Sequence, residues 1–328
     1  MEPHSIFNLG IASFFCYEVS MLHTQLFDTV IIGGGPAGLS AAIYLARFNR
    51  SVVVIEKGGG RWNTNAMNEN YLGFPNGIPS RELQALGEEQ AKRFGAQFVK
   101  DDVSDLVSAK GIFTASGNEQ EYHGKTLVLA TGVVDLQPIF PNFKEYLGTS
   151  IFWCLTCDGH TMINQKVVVV GHMDDAACSC LQMLNFTQDL TFVTNVEVGR
   201  SQLTPKWQER LARANIPVIE GIISDVKGKA GRLKALCLEN GRVVETQYLL
   251  NQLGATPNSN LATRLGASVN QYGYILTNDE QRTDIPFVYA AGDVTKAFAH
   301  QVVSAAHEGS IAAQSANYDL YSPDQKWE

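Results

Sequence analysis

Asp28-Thr29-Val30-Ile31-Ile32-Gly33-Gly34-Gly35-Pro36-Ala37-Gly38, running on into Leu39 to Phe48, decides the fold of this 328-residue chain. A β-branched run leads into a glycine turn, and the turn opens an alanine-rich helix, Ala41 to Ala46. A G-x-G-x-x-G pattern alone is weak evidence; strand before and helix after give it meaning. Gly33 lets the chain turn tightly, Gly35 lets the backbone approach a pyrophosphate, and Gly38 lets helix and strand pack closely. The helix N-terminus at Pro36 and Ala37 then favours phosphate charge. Ser51 to Glu56 reads as the next strand. Glu56, followed by Lys57, lies 23 residues past Gly33, where an acid binds a ribose hydroxyl.

Composition bounds what surrounds this unit. The length favours two domains, and 45% hydrophobic with 18% charged residues describes a folded globular chain. A net charge of −8 with no long basic run argues against a nucleic-acid partner or an anionic membrane surface. No apolar run is long enough to span a bilayer. Six cysteines in this length do not make a secreted disulfide scaffold, so a cytoplasmic location is expected. Ile6 to Tyr17 is mostly apolar, but nothing basic precedes it, Glu2 and Glu18 flank it, and no clear cleavage site follows. Residues 1–20 therefore read as a flexible extension or a start-site artefact, with the folded part beginning near Met21.

A second turn of the same kind follows Lys166 to Val170 and reads Gly171-His172-Met173-Asp174-Asp175-Ala176. Gly171 supplies the tight turn and Ala176 the close packing. Met173 stands where a glycine should let backbone reach a pyrophosphate. Asp175 adds negative charge at a phosphate-binding helix end. The following strand, Leu190 to Thr194, ends in Asn195-Val196-Glu197, with no arginine before Arg200. A 2′-phosphate is best held by arginine forks, whereas Asn195 could still meet an unphosphorylated ribose. Three readings stay open: a decayed empty site, a site re-purposed for another ligand, and ordinary NADPH or NADH use.

Cys154-Leu155-Thr156-Cys157-Asp158 lies just before this second turn. A C-x-x-C beside an α/β pattern reads as redox-active. The thiolate is the reactive species, and Asp158 is placed to shuttle its proton. Zinc needs two more ligands, and Cys178 and Cys180, two apart on an expected helix, point in different directions; no metal is expected. Cys16, Cys178, Cys180 and Cys237 read as packing or surface residues. His160 reads as a surface residue with a lesser claim on proton transfer.

Near the C-terminus, Phe287 to Val294 reads as a buried strand ending in Gly292-Asp293, and a helix follows from about Gln301 to Asn317. With Asn70-Tyr71-Leu72-Gly73-Phe74-Pro75, Ala130-Thr131-Gly132, Cys154 to Gly159 and Gly254-Ala255-Thr256-Pro257-Asn258, these motifs resemble, in order and spacing, the FAD-containing pyridine-nucleotide disulfide oxidoreductases, thioredoxin reductases in particular. The resemblance covers about Asp28 to Asn317.

It implies an α/β fold of two Rossmann-like three-layer (ββα) dinucleotide-binding domains. The FAD domain would be 21–138 plus 277–328, and the inserted domain, 139–276, would carry the C-x-x-C. FAD would lie on Gly33, Gly35, Pro36, Ala37, Gly38, Glu56, Lys57, Trp62, Asn63, Thr64, Asn70, Ala130, Thr131, Gly132, Gly292, Asp293, Gln301 and Val302. Asp293 would accept from the ribitol chain, and the Gln301 and Val302 amides would meet the flavin N1/O2 edge. Cys157 would face the flavin and Cys154 would attack a disulfide in a thioredoxin-like partner protein. A homodimer is implied as well.

The chain departs from the NADPH-dependent pattern at His172, Met173 and the missing arginines, whereas Asp174 matches an acid common in the family; Gly171, Met173, Asp174 and Asn195 mark the second nucleotide or flavin site. It looks most like relatives that keep FAD and C-x-x-C and lose the NADPH residues: ferredoxin-dependent enzymes, or the diflavin-linked disulfide oxidoreductases of oxygenic photosynthetic bacteria. Trp153 beside Cys154, and Gly60-Arg61-Trp62-Asn63-Thr64, point to the diflavin group, with a second FAD in place of NADPH. Trp62 or Trp153 would supply an aromatic face or simply pack. Two other classes stay open: a redox sensor without turnover, and a flavin reductase that bypasses the cysteines.

Overall fold

The computed structural model describes residues 25–61, 67–296, 298 and 300–327. Expectations for residues 1–20, Cys16, Trp62, Asn63 and Thr64 lie outside the described residues. The chain separates into two compact units: the described residues up to Gly60 with Gln84–Val133 and Pro257 onward, and Arg61–Leu83 with Val134–Thr256.

The first unit is built on the Leu26–Ile32 strand. It pairs in parallel with Val52–Ile55 on one side and Glu121–Leu129 on the other. Gln97–Val99 extends the first edge. Val288–Ala290 runs parallel to the last third of the Glu121–Leu129 strand, whose first half pairs antiparallel with Ile112–Ser116 and through it with Asp105–Ala109. Because side chains alternate, one set (Ile31, Val52, Val54, Val128, Tyr289) packs on one face and the other (Val30, Ile32, Val53, Ile55, Leu127, Leu129, Val288) on the opposite face. Burial on both faces is why these strands are unbroken apolar runs. Each buried Val or Ile contributes about 1.5–3 kcal/mol.

Helices Pro36–Arg47 and Val302–Asp319 cover the first face through Ala37, Ala41, Ala42, Leu45, Ala305, Ala312, Ala313 and Ala316. Small residues let them approach closely: a Cβ on Gly309 would lie 2.0 Å from the Ala37 carbonyl oxygen. The antiparallel strands cover the second face with Leu106, Phe113, Ala115 and Tyr122. The segment Pro257 onward adds Ala262, Ala267 and Ile275 to that same core. In the middle of the sheet a buried polar pair is satisfied, with Thr29 Oγ1 and Thr126 Oγ1 at 2.8 Å.

The second unit repeats the plan. Its parallel sheet runs Ile151–Phe152, Tyr248–Asn251, Val167–Val170, Leu190–Val193, Val218–Ile219. Helix Asp174–Gln182 packs on one face through Ala176, Ala177 and Cys180. The antiparallel Ile223–Lys229, Arg232–Leu238 and Val243–Glu245 strands pack on the other through Leu233, Leu236, Leu238 and Val244. Lys229 pairs with Arg232 across Ala230 and Gly231, both at positive φ, a two-residue turn whose twist suits a hairpin. Both units are thus Rossmann-like ββα layers.

The strand expected over 287–294 is shorter than its apolar pattern. It covers Val288–Ala290, and at its start Phe287 takes a left-handed backbone (φ 65°) and is 46% exposed. Among the described residues, no helix is long and apolar enough to cross a membrane.

Candidate functional site

In the first unit the parallel strands end level. Ile55, Ile32, Leu129 and Ala290 are register partners across the sheet, so Glu56, Gly33, Ala130 and Ala291 follow at one edge. A crevice beyond the carboxyl ends of parallel strands is where α/β sheets take ligands. Gly33 has φ +107°, and a side chain there would sit 2.2 Å from the Ala130 carbonyl oxygen. A side chain on Gly38 would sit 1.9 Å from the Gly33 oxygen. Around Gly35 nothing lies within 4 Å of a would-be Cβ, which leaves an open cradle at the start of the Pro36–Arg47 helix.

Glu56 closes the turn, accepting the Gly34 amide at 2.5 Å and the Gly58 amide at 2.7 Å. Two carboxylate oxygens offer about four acceptor positions, so capacity for a ribose hydroxyl remains. Lys57 points away, with its ammonium 3.6 Å from Asp102. Ala130 is buried and donates its amide to Ile32 at 2.8 Å. The Thr131 hydroxyl donates to the Asn258 carbonyl at 2.7 Å, and the Asn258 amides donate to Thr131 and Gly132 carbonyls. Gly292 (φ +81°) comes close enough to Ala37 that a side chain would clash at 2.9 Å, bringing Asp293 to the first helix. Gln301 and Val302 begin the last helix, Gln301 as its N-cap. Asn70 belongs to the second unit, in the loop of the Met67–Asn68/Ile78–Pro79 hairpin.

Glu308 was not legible as a site residue. It is 3% exposed, accepts the Gly292 amide at 2.8 Å and the Thr295 hydroxyl at 3.1 Å, and pairs with Lys296. An acid three residues past Ala305 and four before Ala312, on an otherwise alanine-lined face, was the available signal.

In the second unit Val193, Val170 and Asn251 are level, so Gly171 and Gln252 follow at that edge. Met173 precedes the Asp174–Gln182 helix and is 45% exposed. The Asp174 carboxylate accepts the Thr204 amide at 2.8 Å and its hydroxyl at 2.9 Å, while Gln202 donates its amide to the His172 carbonyl. Asn195 (φ 54°) accepts the Ile223 amide at 2.9 Å. Arg200 lies 3.9 Å from Glu197, and both are largely exposed. Trp153 Nε1 and His172 Nδ1 are buried without a hydrogen-bond partner.

Cys154 and Cys157 form a disulfide. Cys154 caps the short Leu155–Asp158 helix: its sulfur accepts the Cys157 amide at 3.0 Å, and its carbonyl accepts the Asp158 amide at 2.9 Å. The Trp153 carbonyl accepts from Gln252 Nε2 at 2.7 Å, which anchors the approach to the pair. Asp158 is half-buried at the helix end. Burial pushes its carboxyl up to about 6; the charge of His160 and a hydrogen bond from the Cys154 backbone pull it down, and Glu69 pushes it up. Such a group exchanges protons near neutral pH. His160 Nε2 lies 2.6 Å from Glu69 Oε2. The sequence flagged His160 weakly and missed Glu69, whose only mark is its place beside Asn70.

Residues 27–309 match the sequence profile described as pyridine nucleotide-disulphide oxidoreductase. The chain belongs to that family. It is an oxidoreductase acting on sulfur groups, and the family implies FAD. The thioredoxin reductase of Bacillus subtilis (strain 168) is 32% identical over 91% of this chain and 96% of its own. That of Aquifex aeolicus is 32% identical over 88% and 92%. Among solved structures, thioredoxin reductase from Streptococcus pyogenes superposes with a TM-score of 0.83 at 27% identity, covering 90% of this chain and 98% of that one. HlmI superposes at 0.82 and 28%, covering 91% and 93%.

The first crevice of this disulphide oxidoreductase fits FAD on its own geometry. The cradle at Gly35 is clear, the flanking glycines have no room for side chains, and an acid stands at the next strand end.

Proposed function

We propose that this oxidoreductase passes electrons through Cys154–Cys157 to a disulfide in a thioredoxin-like protein, from a donor other than NADPH. The observation that carries the reading is the Cys154–Cys157 disulfide at the start of a helical turn that ends in the half-buried Asp158. Bound FAD would supply the two-electron reservoir. The amides of the Gly33–Gly38 turn would hold its pyrophosphate, Glu56 a ribose hydroxyl and Asp293 the ribityl chain. Asn70, Ala130, Thr131 and Gly132 would border the ring, with the Gln301 and Val302 amides at its N1/O2 edge. The FAD domain, expected over 21–138 plus 277–328, would centre on the first unit, which also takes in Pro257 onward, with the cysteines on Val134–Thr256 of the second.

Once the pair is reduced, the Cys154 thiolate attacks a sulfur of the partner's disulfide. A mixed disulfide forms and one partner sulfur leaves as thiolate. Cys157 then attacks Cys154, the second partner sulfur leaves, and the Cys154–Cys157 disulfide re-forms. The partner gains two electrons, the cysteines lose two, and Asp158 exchanges a proton in the step. The amide hydrogen bond to Cys154 favours its thiolate.

What supports a replaced donor is the second unit. Met173 occupies the close-approach position, Asp174 is engaged with Thr204, and the first nearby arginine is at Glu197. We read Gly171, Met173, Asp174 and Asn195 as marking a site re-purposed for another ligand. His172 Nδ1, buried in this turn without a partner, favours a ligand with hydrogen-bonding atoms there. A second FAD, as in the diflavin-linked enzymes, and a ferredoxin-like reductant are the candidates. A cytoplasmic homodimer completes the proposal.

The test uses the holoprotein, reduced photochemically without oxygen and mixed with an oxidised thioredoxin. Wild type should open the partner's disulfide, and Cys154→Ser should not. Equal thiol yield from both would replace this reading with cysteine-independent electron transfer.

A further inference from the structure

The turn that carries the cysteines is tied to a loop far from it in sequence. Gly159 follows Asp158 with no room for a side chain, since a Cβ there would lie 2.9 Å from the Phe186 ring. Met162 is fully buried in the core below. These anchors leave His160 facing outward, at a place fixed relative to Asp158. Glu69 meets it from the Met67–Asn68/Ile78–Pro79 hairpin, Nε2 to Oε2 at 2.6 Å.

The hairpin is itself braced. Asn68 Nδ2 donates to the Ile78 carbonyl at 3.2 Å and to Ser80 Oγ at 3.0 Å. Tyr71 and Phe74 stack at 6.0 Å, and the Gly77 amide donates to the Phe74 carbonyl. Asn70 directly follows Glu69. The His160–Glu69 contact therefore joins the cysteine turn to the hairpin, and each segment has further anchors of its own. Both partners are about half exposed, so its worth as a stabilising contact is small. Its placement beside Asp158 matters more.

Among the described residues, the charges that act on Asp158 are those of His160 on its own turn and Glu69 on the hairpin; the two cysteine sulfurs are bonded to each other. They act in opposite senses. His160 charge favours the carboxylate and Glu69 charge disfavours it. A hairpin movement that withdraws Glu69 would change the field at the proton-exchanging group without touching a cysteine.

We propose that Glu69 and His160 are positioning residues that set when Asp158 gives up its proton, coupling the Asn70 hairpin to disulfide exchange. The inference rests on the role of Asp158 proposed above.

The test is single-turnover exchange between the reduced holoprotein and a small neutral disulfide, hydroxyethyl disulfide, from about pH 4.5 to 8. Asp158→Asn should remove one inflection. His160→Gln should move that inflection up and Glu69→Gln should move it down. Each shift should be about half a pH unit, roughly threefold in rate on the slope. In the Asp158→Asn background neither substitution should move anything. A structural clasp would respond alike to loss of either partner. Shifts in one common direction, or none, with the Asp158-dependent inflection intact, overturn the coupling alone. Survival of that same inflection, unmoved, in Asp158→Asn overturns the role of Asp158 itself.

Discussion

Both carboxylate oxygens of Asp174 are taken by Thr204, one by its amide at 2.8 Å and the other by its hydroxyl at 2.9 Å. Asp174 opens the helix whose N-terminus would face a nucleotide phosphate, and it is held by the loop that leads into Pro205–Arg213. Gln202 in that loop also donates to the His172 carbonyl. The second glycine-type turn is therefore stitched to its neighbour and already carries negative charge from Asp174 and Asp175.

Met173→Gly should clear the close-approach position without restoring NADPH use. The two acids and the absence of an arginine fork remain, so affinity for NADPH should rise less than about tenfold. Stopped-flow titration of the variant checks this. A gain of several hundredfold would show that the methionine side chain was the main obstacle.

Cys154→Ser should cut protein-disulfide reduction by about a thousandfold or more while FAD stays bound. Flavin absorbance after gel filtration, beside a thiol assay, separates the two properties. Sustained turnover in the variant would remove Cys154 from the pathway.

Gly38→Ala and Gly35→Ala should part company. A methyl group at Gly38 meets the Gly33 oxygen at 1.9 Å, so stability should fall by about 3 kcal/mol or more and FAD should be lost with the fold. A methyl group at Gly35 meets nothing within 4 Å and φ is −76°, so the apoprotein should melt unchanged while FAD binding weakens. Equal melting losses in both apoproteins would mean that the Gly35 cradle is not free for a ligand.

The contrast between these glycines shows what was legible in the sequence. Gly33, Gly35 and Gly38 could be given distinct jobs because strand, turn and helix are contiguous and follow local steric rules. Glu69 against His160, Asp174 against Thr204 and Glu308 against Gly292 were not legible. Each is a side chain meeting a segment brought near only by tertiary packing. Phe287 misled for another reason: its apolar side chain continues the pattern of a strand, but its backbone does not.

Asp158 gives a stability prediction with a definite sign. Burial raises its carboxyl from 3.8 to about 6 in the folded chain. The folded state therefore holds the proton more tightly. The stability this contributes is full below 3.8 and is lost as pH rises through about 6. Asp158→Asn carries no such dependence. The melting temperature of the variant relative to wild type should therefore climb between about pH 4 and pH 7.5. A difference that is flat across this range would place the carboxyl in solvent.

Anaerobic addition of NADPH to the oxidised holoprotein, with flavin absorbance followed in time, tests the central claim most directly. The account predicts little bleaching, in protein whose flavin is fully reduced by dithionite. Rapid, complete bleaching by stoichiometric NADPH would contradict it and make the second unit a working pyridine-nucleotide site.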